Sequence, residues 1–189
     1  SKILKRLLPK KKEFTTLVVG LGNRAVTPDS LGPRVVDNLC ITRHIIKEFG
    51  KYVLGDSSQK PVSSIVPGVM AQTGMESMEI VRGITKETGP DVIIAVDALA
   101  ARGTRRLNCT IQITDTGINP GSGVGNHRHA LNLESIGIPV IAVGIPTVVD
   151  AATIVIDTMS NLLDAMSQAE QMRRIGSSYE KLDIMEKYE

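Results

Sequence analysis

Two aspartates stand where a folded chain can make carboxylates work together. Asp29 lies in Pro28-Asp29-Ser30, beyond the apolar run Leu17-Val18-Val19 and the break Gly20-Leu21-Gly22-Asn23. Asp97 directly follows a second apolar run, Val92–Val96. In doubly wound sheets, functional groups collect beyond the carboxyl ends of the strands. If the two strands are neighbours, as in a 2-1-3 order, both carboxylates reach one edge. Two carboxylates at close range do not both ionise easily, so such a pair can take a proton from a water and return one to a leaving group. Asp29, close to a helix start, is read as the base, and Asp97, after a fully apolar strand, as the acid. Spacing alone leaves a second reading open for each: Asp29 as a helix cap, Asp97 as a cap for Ala98–Ala101.

Other candidates carry weaker signals. Asn23, Arg24 and Arg102 are the polar and basic groups nearest the aspartates in sequence, and the two arginines are read as holding an acidic substrate residue. Asp115 reads as a turn residue and Asp150 as a helix cap. Gly121-Ser122-Gly123-Val124-Gly125-Asn126 resembles a nucleotide loop but lacks the full glycine pattern and a following helix. A loop whose bare backbone binds an extended peptide or borders the site fits it better. His127 and His129 could join the aspartates around a metal, yet no third nearby ligand is evident and they read as solvated loop residues. No metal or cofactor is therefore assigned. Ser30 and Ser122 have no histidine partner for a triad.

These groups need a frame. Thr15–Leu21 reads as the first strand, and Ser30 and Pro33 open a helix expected to run to about Phe49. A polar connection over 50–61 leads to a short strand, Val62–Val66. Thr73 to Glu76 matches a capping box and starts a helix carrying Ile80, Val81 and Ile84. The continuous apolar run Val92–Val96 predicts a strand covered on both faces. Alternation over Asn108–Thr114 predicts a strand nearer an edge, and Val140–Val143 the last strand. Asp150 caps a final helix with Val155, Met159, Leu162, Leu163 and Met166 as its apolar side. Strands alternating with helices predict an α/β fold, a doubly wound, mostly parallel sheet with helices on both faces.

The chain has 189 residues, enough for one ordinary domain. We divide it into a basic arm over 1–14, an α/β domain over 15–167 and a charged C-terminal tail or helix over 168–189. Hydrophobic residues make up 42%, but aromatics only 3% with no Trp, so aliphatic side chains and Met must fill the core. A net charge of +2 is too small to point to nucleic acid, and much of the basic excess lies in the arm. No apolar run reaches membrane-spanning length, and no signal-peptide core is evident. Cys40 and Cys109 match no metal spacing and read as buried free thiols of a cytoplasmic protein. The first residue is Ser rather than Met, which reads as a fragment or a processed product.

Five blocks together are distinctive: GLGNRAVTPDSLGPRVVDNL, VPGVMAQTGMES, VIIAVDALAAR, TIQITDTGINPGSGVGN and PVIAVGIPTVVDA. They resemble the germination protease family of spore-forming bacteria through most of 15–166. The resemblance implies an atypical aspartic endopeptidase that degrades small acid-soluble spore proteins during germination, in the cytoplasm of the spore core. It implies a fold like that of hydrogenase maturation peptidases. It places the catalytic aspartates in the TPDSLGP and DALAA blocks, at Asp29 and Asp97. It also implies a zymogen, a homotetramer, loss of an N-terminal propeptide and a longer full-length chain. Two other readings stand beside it: a metal-recognising C-terminal processing peptidase, and an inactive fragment that only binds peptides.

Overall fold

A computed structural model describes residues 2–55, 59–121 and 129–180, the last seven by their backbone only. In chain order the elements are α1 (Lys2–Leu7), β1 (Thr16–Gly20), α2 (Leu31–Asp37), α3 (Arg43–Phe49), β2 (Val62–Ile65), α4 (Met70–Thr73), α5 (Ser77–Thr88), β3 (Val92–Ala101), β4 (Gln112–Thr114), α6 (Leu133–Ile136), β5 (Val140–Val149) and α7 (Ala151–Glu180). The strands form one five-stranded sheet in the order β2-β1-β3-β5-β4. β1 pairs in parallel with β2 and β3, and β3 with β5; β4 runs antiparallel at the edge. This is the predicted α/β architecture, with the predicted 2-1-3 neighbourhood.

Alternation sorts the side chains of each strand between two faces. Leu17, Val19, Ile93 and Ala95 meet Met78 and Val81 of α5, together with Leu21, Leu131 and Val140, in the main core. The opposite face takes α2, packed on β1 and β3. Every residue of β1 is buried, as a strand covered on both sides requires. Close approach of α2 depends on Gly32, where a Cβ would run into the backbone of Leu21 and the carbonyl of Val96. The glycines around β1 thus serve close packing.

Several boundaries differ from expectation. The helix expected to run to Phe49 is two helices, because Thr42 is claimed by the edge of β2. Its N–H donates to the Val62 carbonyl at 3.1 Å, its hydroxyl donates to the Lys60 carbonyl at 2.6 Å, and the hydroxyl accepts from the Val62 N–H at 3.0 Å. The capping box lies three residues later than predicted: Thr73 closes α4, Gly74 turns the chain at φ 71°, and Glu76 with Glu79 caps α5. β3 runs on to Ala101 and β5 to Val149, each well past the apolar run that signalled it. β4 is only three residues long, and Cys109 precedes it rather than opening it. Cys40 lies between α2 and α3; both cysteines are free, as expected, but exposed rather than buried. The apolar side of α7 is present but uncovered among the described residues, with Met159, Leu162, Leu163 and Met166 all exposed. Periodicity reports a side that can be buried, not the element that buries it.

Candidate active site

The loop carrying Asp29 is wound tightly over the end of β1. Leu21 continues the strand by donating its N–H to the Val96 carbonyl at 2.8 Å. The chain then turns at Gly22, φ 112°, where a Cβ would fall on the Asp29 carbonyl oxygen. The Asn23 N–H is shared between the Asp29 carbonyl at 3.1 Å and its carboxylate Oδ2 at 2.7 Å. Thr27–Asp29 forms a single 3₁₀ turn, and Thr147 at the end of β5 donates its hydroxyl to the Pro28 carbonyl at 2.6 Å. Asp29 is therefore not the cap of α2. Ser30 holds that position without a side-chain cap bond; its hydroxyl donates to the Thr27 carbonyl at 2.8 Å and accepts from Arg34 Nε at 3.1 Å. The Asp29 side chain is half-buried and reaches back to the strand end instead.

Asp97 arrives by a different route. It sits inside β3, level with Gly144 of β5 and one residue past the Gly20–Val96 pair that ends β1. Its side chain is buried, and Oδ1 accepts from the Ala98 N–H at 2.9 Å. No helix follows it, so the capping role is closed to it. Asp29 and Asp97 line one cleft of about 900 Å³ at the carboxyl edge of the sheet. Its walls are the β3 segment from Asp97 to Ala101 with Arg102 just beyond it, Arg106, Gln112 of β4, Asn119 and Gly121, and the β5–α7 junction with Thr147, Asp150 and Thr153. Asp150 caps α7, as predicted: Oδ1 accepts from the Thr153 N–H at 2.8 Å and Oδ2 from its hydroxyl at 2.8 Å. The bonds from Thr153, the backbone one foremost, hold its carboxyl below the usual range.

The remaining predicted groups divide. Arg102 lines the cleft. Arg24 does not: its guanidinium is held by the Asp37 carboxylate. Asn23 acts through its backbone on Asp29, while its side chain accepts from the Ala25 N–H at 3.0 Å and from Gln72 Nε2 at 3.4 Å. His129 pairs with Glu76, Nδ1 to Oε2 at 2.8 Å. Ser122 to Asn126 and His127 lie outside the described residues. Among the described residues, no three of His, Cys, Asp and Glu gather as metal ligands, and no helix is long and apolar enough to cross a membrane.

The family model described as germination protease matches residues 1–182. The chain belongs to the germination protease family. Curated relatives named germination protease include those of Priestia megaterium, 58% identical over 130 residues, and Bacillus cytotoxicus, 56% identical over 132. A third, from Geobacillus sp., is 55% identical over 137 residues. These matches cover 69%, 70% and 72% of this chain but only 35%, 35% and 36% of the relatives, so the chain spans about a third of their length. Among solved structures, a NiFe hydrogenase maturation protease from Thermococcus kodakarensis aligns over 85% of this chain and 96% of its own, at 15% identity and a TM-score of 0.43.

Within this family member, two groups at the cleft escape a reading by sequence proximity. Arg106 lines it from a 3₁₀ turn after β3, and Thr147 ties the Asp29 loop to β5. The run Arg102, Arg105, Arg106 at the end of a strand was a usable signal for the first. Thr147 had none, since it is brought to Pro28 from far along the chain by the β3–β5 pairing.

Proposed function

We propose that the chain carries the catalytic core of an aspartic endopeptidase that degrades small acid-soluble spore proteins during germination, in the spore core. The observation that supports this is the parallel adjacency of β1 and β3, which brings Asp29 and Asp97 to one cleft. In this reading a water in the cleft attacks the carbonyl carbon of the scissile peptide bond. Asp29, the more exposed of the two, takes a proton from that water. Asp97 gives its proton to the leaving nitrogen as the carbon–nitrogen bond breaks. The two carboxyls share one proton before the reaction and one after it, so the pair is returned for the next cycle. Arg102 steadies an acidic residue of the substrate from the cleft wall.

The family reading extends to a zymogen and a homotetramer of the full-length protein. The short edge strand β4 and the exposed Ile111 before it supply open surface for such assembly. Incubating full-length protein with a purified small acid-soluble spore protein tests the function. Discrete cleavage that disappears in Asp29→Asn and in Asp97→Asn is expected. Cleavage that persists in either variant overturns the assignment.

A further inference from the structure

The loop that carries Asp29 leaves β1 and reaches β5. In the sheet order β1-β3-β5 it must cross the end of β3, a span of about 10 Å for two strand spacings. Its 3₁₀ turn, Thr27–Asp29, lies against both β3 and β5. Bonds inside the loop keep its shape but travel with it: the Asn23 N–H donates to Asp29, and the Asp29 N–H to the Val26 carbonyl at 2.9 Å. The Thr147 hydroxyl, donating to the Pro28 carbonyl at 2.6 Å, ties the loop to β5.

The strand is irregular where that hydroxyl stands. The register of β5 with β3 runs one to one from Ile93 with Val140, through Asp97 with Gly144, to Leu99 with Pro146, and resumes at Ala100 with Val148. Thr147 is therefore an extra residue of β5, a bulge, which breaks the alternation of sides and re-aims a side chain. Pro146 before it is fully buried and has no N–H to give to a ladder, so it fits beside a bulge. Its carbonyl accepts from the Asn108 N–H at 2.8 Å, which holds the strand at that point. The bulge lies just past Gly144, the partner of Asp97. One strand pair thus carries Asp97 directly and grips the Asp29 loop through a hydroxyl.

We propose that Thr147 is a positioning residue of the aspartate pair: the bulge on β5 sets where the Asp29 carboxyl stands relative to Asp97. This rests on the peptidase reading of the cleft and names what holds its two acids in place. Thr147 lines the cleft with them, and it acts through the Pro28 carbonyl rather than on the substrate. Pro28 is exposed, so water can replace the hydroxyl at that carbonyl. Loss of the hydroxyl therefore acts on the position of the loop more than on stability. Small displacements of reacting groups lower a rate steeply.

The test is kinetic, on full-length Thr147→Val, which keeps the side-chain shape and removes the hydroxyl, and Thr147→Ser, which keeps the hydroxyl. The substrate is one purified small acid-soluble spore protein. Thr147→Val should lower kcat about ten-fold and leave KM within about two-fold, and Thr147→Ser should regain most of the loss. The pH profile of kcat/KM gives a second readout. Carboxyls held less closely interact less, so the two limbs of the bell should move toward each other in Thr147→Val. Asp150, Arg102 and Arg106, the other charged groups lining the cleft, are unchanged in both variants. Circular dichroism checks that each variant is folded. Near wild-type kcat in Thr147→Val, a loss carried by KM, limbs that stay in place, or a loss that Thr147→Ser shares overturns the proposal. If the wild type cuts no spore protein, the peptidase reading fails and hydrogen exchange decides this one. Segment 22–30 should then exchange faster in Thr147→Val than in wild type or Thr147→Ser, and equal exchange overturns it.

Discussion

The two edges of the sheet use the same residue type in opposite ways. At the amino edge, Asp91 stands just before β3 beside Thr15, just before β1. Its Oδ2 accepts from the Thr15 N–H at 2.8 Å and the Thr15 hydroxyl at 3.1 Å, and its Oδ1 from Lys11 Nζ at 3.2 Å. Its own N–H donates to the Thr15 carbonyl at 3.0 Å. The Thr15 N–H foremost, with the Lys11 ammonium and Thr15 hydroxyl behind it, holds this carboxyl below the usual range. At the carboxyl edge, Asp29 comes from the loop after β1 and Asp97 from β3, and both line a cleft of about 900 Å³. A carboxylate whose oxygens are taken by donors and a cation is a fastener. Two carboxylates that line one open cleft, each accepting a backbone N–H, share a volume that a reactant can enter. The difference lies in the partners each edge supplies, since the strands are shared.

The largest contrast should appear in catalysis. Asp29→Asn and Asp97→Asn should each lower turnover of a spore protein by about three orders of magnitude or more, the scale of losing one member of a catalytic unit. Their urea midpoints should move little. Asp91→Ala should do the reverse. It leaves the Thr15 N–H without its carboxylate, so unfolding in urea should show a loss of about 2 kcal/mol, with cleavage per folded molecule retained. A catalytic defect in Asp91→Ala at full folding would blur the division between the edges.

The pH dependence sharpens it further. The lowered Asp91 pKa means its contribution is fully present above the ordinary aspartate value and is lost as pH falls through the lowered one. The stability gap between wild type and Asp91→Asn should therefore be flat at neutral pH, shrink below about pH 4 and vanish in stronger acid. A gap that widens with acid contradicts the assignment. The smallest effect belongs to the amino-edge pair of Lys51 and Glu13, whose carboxylate is 71% exposed. Such pairs contribute little, and Lys51→Ala should leave the urea midpoint unchanged.

The sheet was legible because its central strands are continuous apolar runs bounded by Gly and Pro, a pattern that few other arrangements produce. Its strand ends were not. β3 continues through Asp97-Ala98-Leu99 because β5 pairs with it there, and pairing across the sheet leaves no mark in the local pattern. Thr42 likewise looks like an ordinary helix residue until β2 supplies its partners. Asp29 and Asp97 were legible by position, the one in the loop that follows β1 and the other directly after the apolar run of β3. Arg24 stands away from the cleft because nearness in sequence says nothing of Asp37, 13 residues further along the chain, whose carboxylate holds it. Arg106 was passed over for the converse reason, since a 3₁₀ turn anchored by α7 carries it back to the cleft.

The shared-proton pair is tested most directly by combining the two substitutions. Turnover of one spore protein is measured in full-length Asp29→Asn, Asp97→Asn and the double variant. Groups that act as a unit lose their function once, so the double variant should be no slower than the worse single one. If the two losses instead multiply, or if either single variant keeps near-normal turnover, the aspartates do not work as a pair.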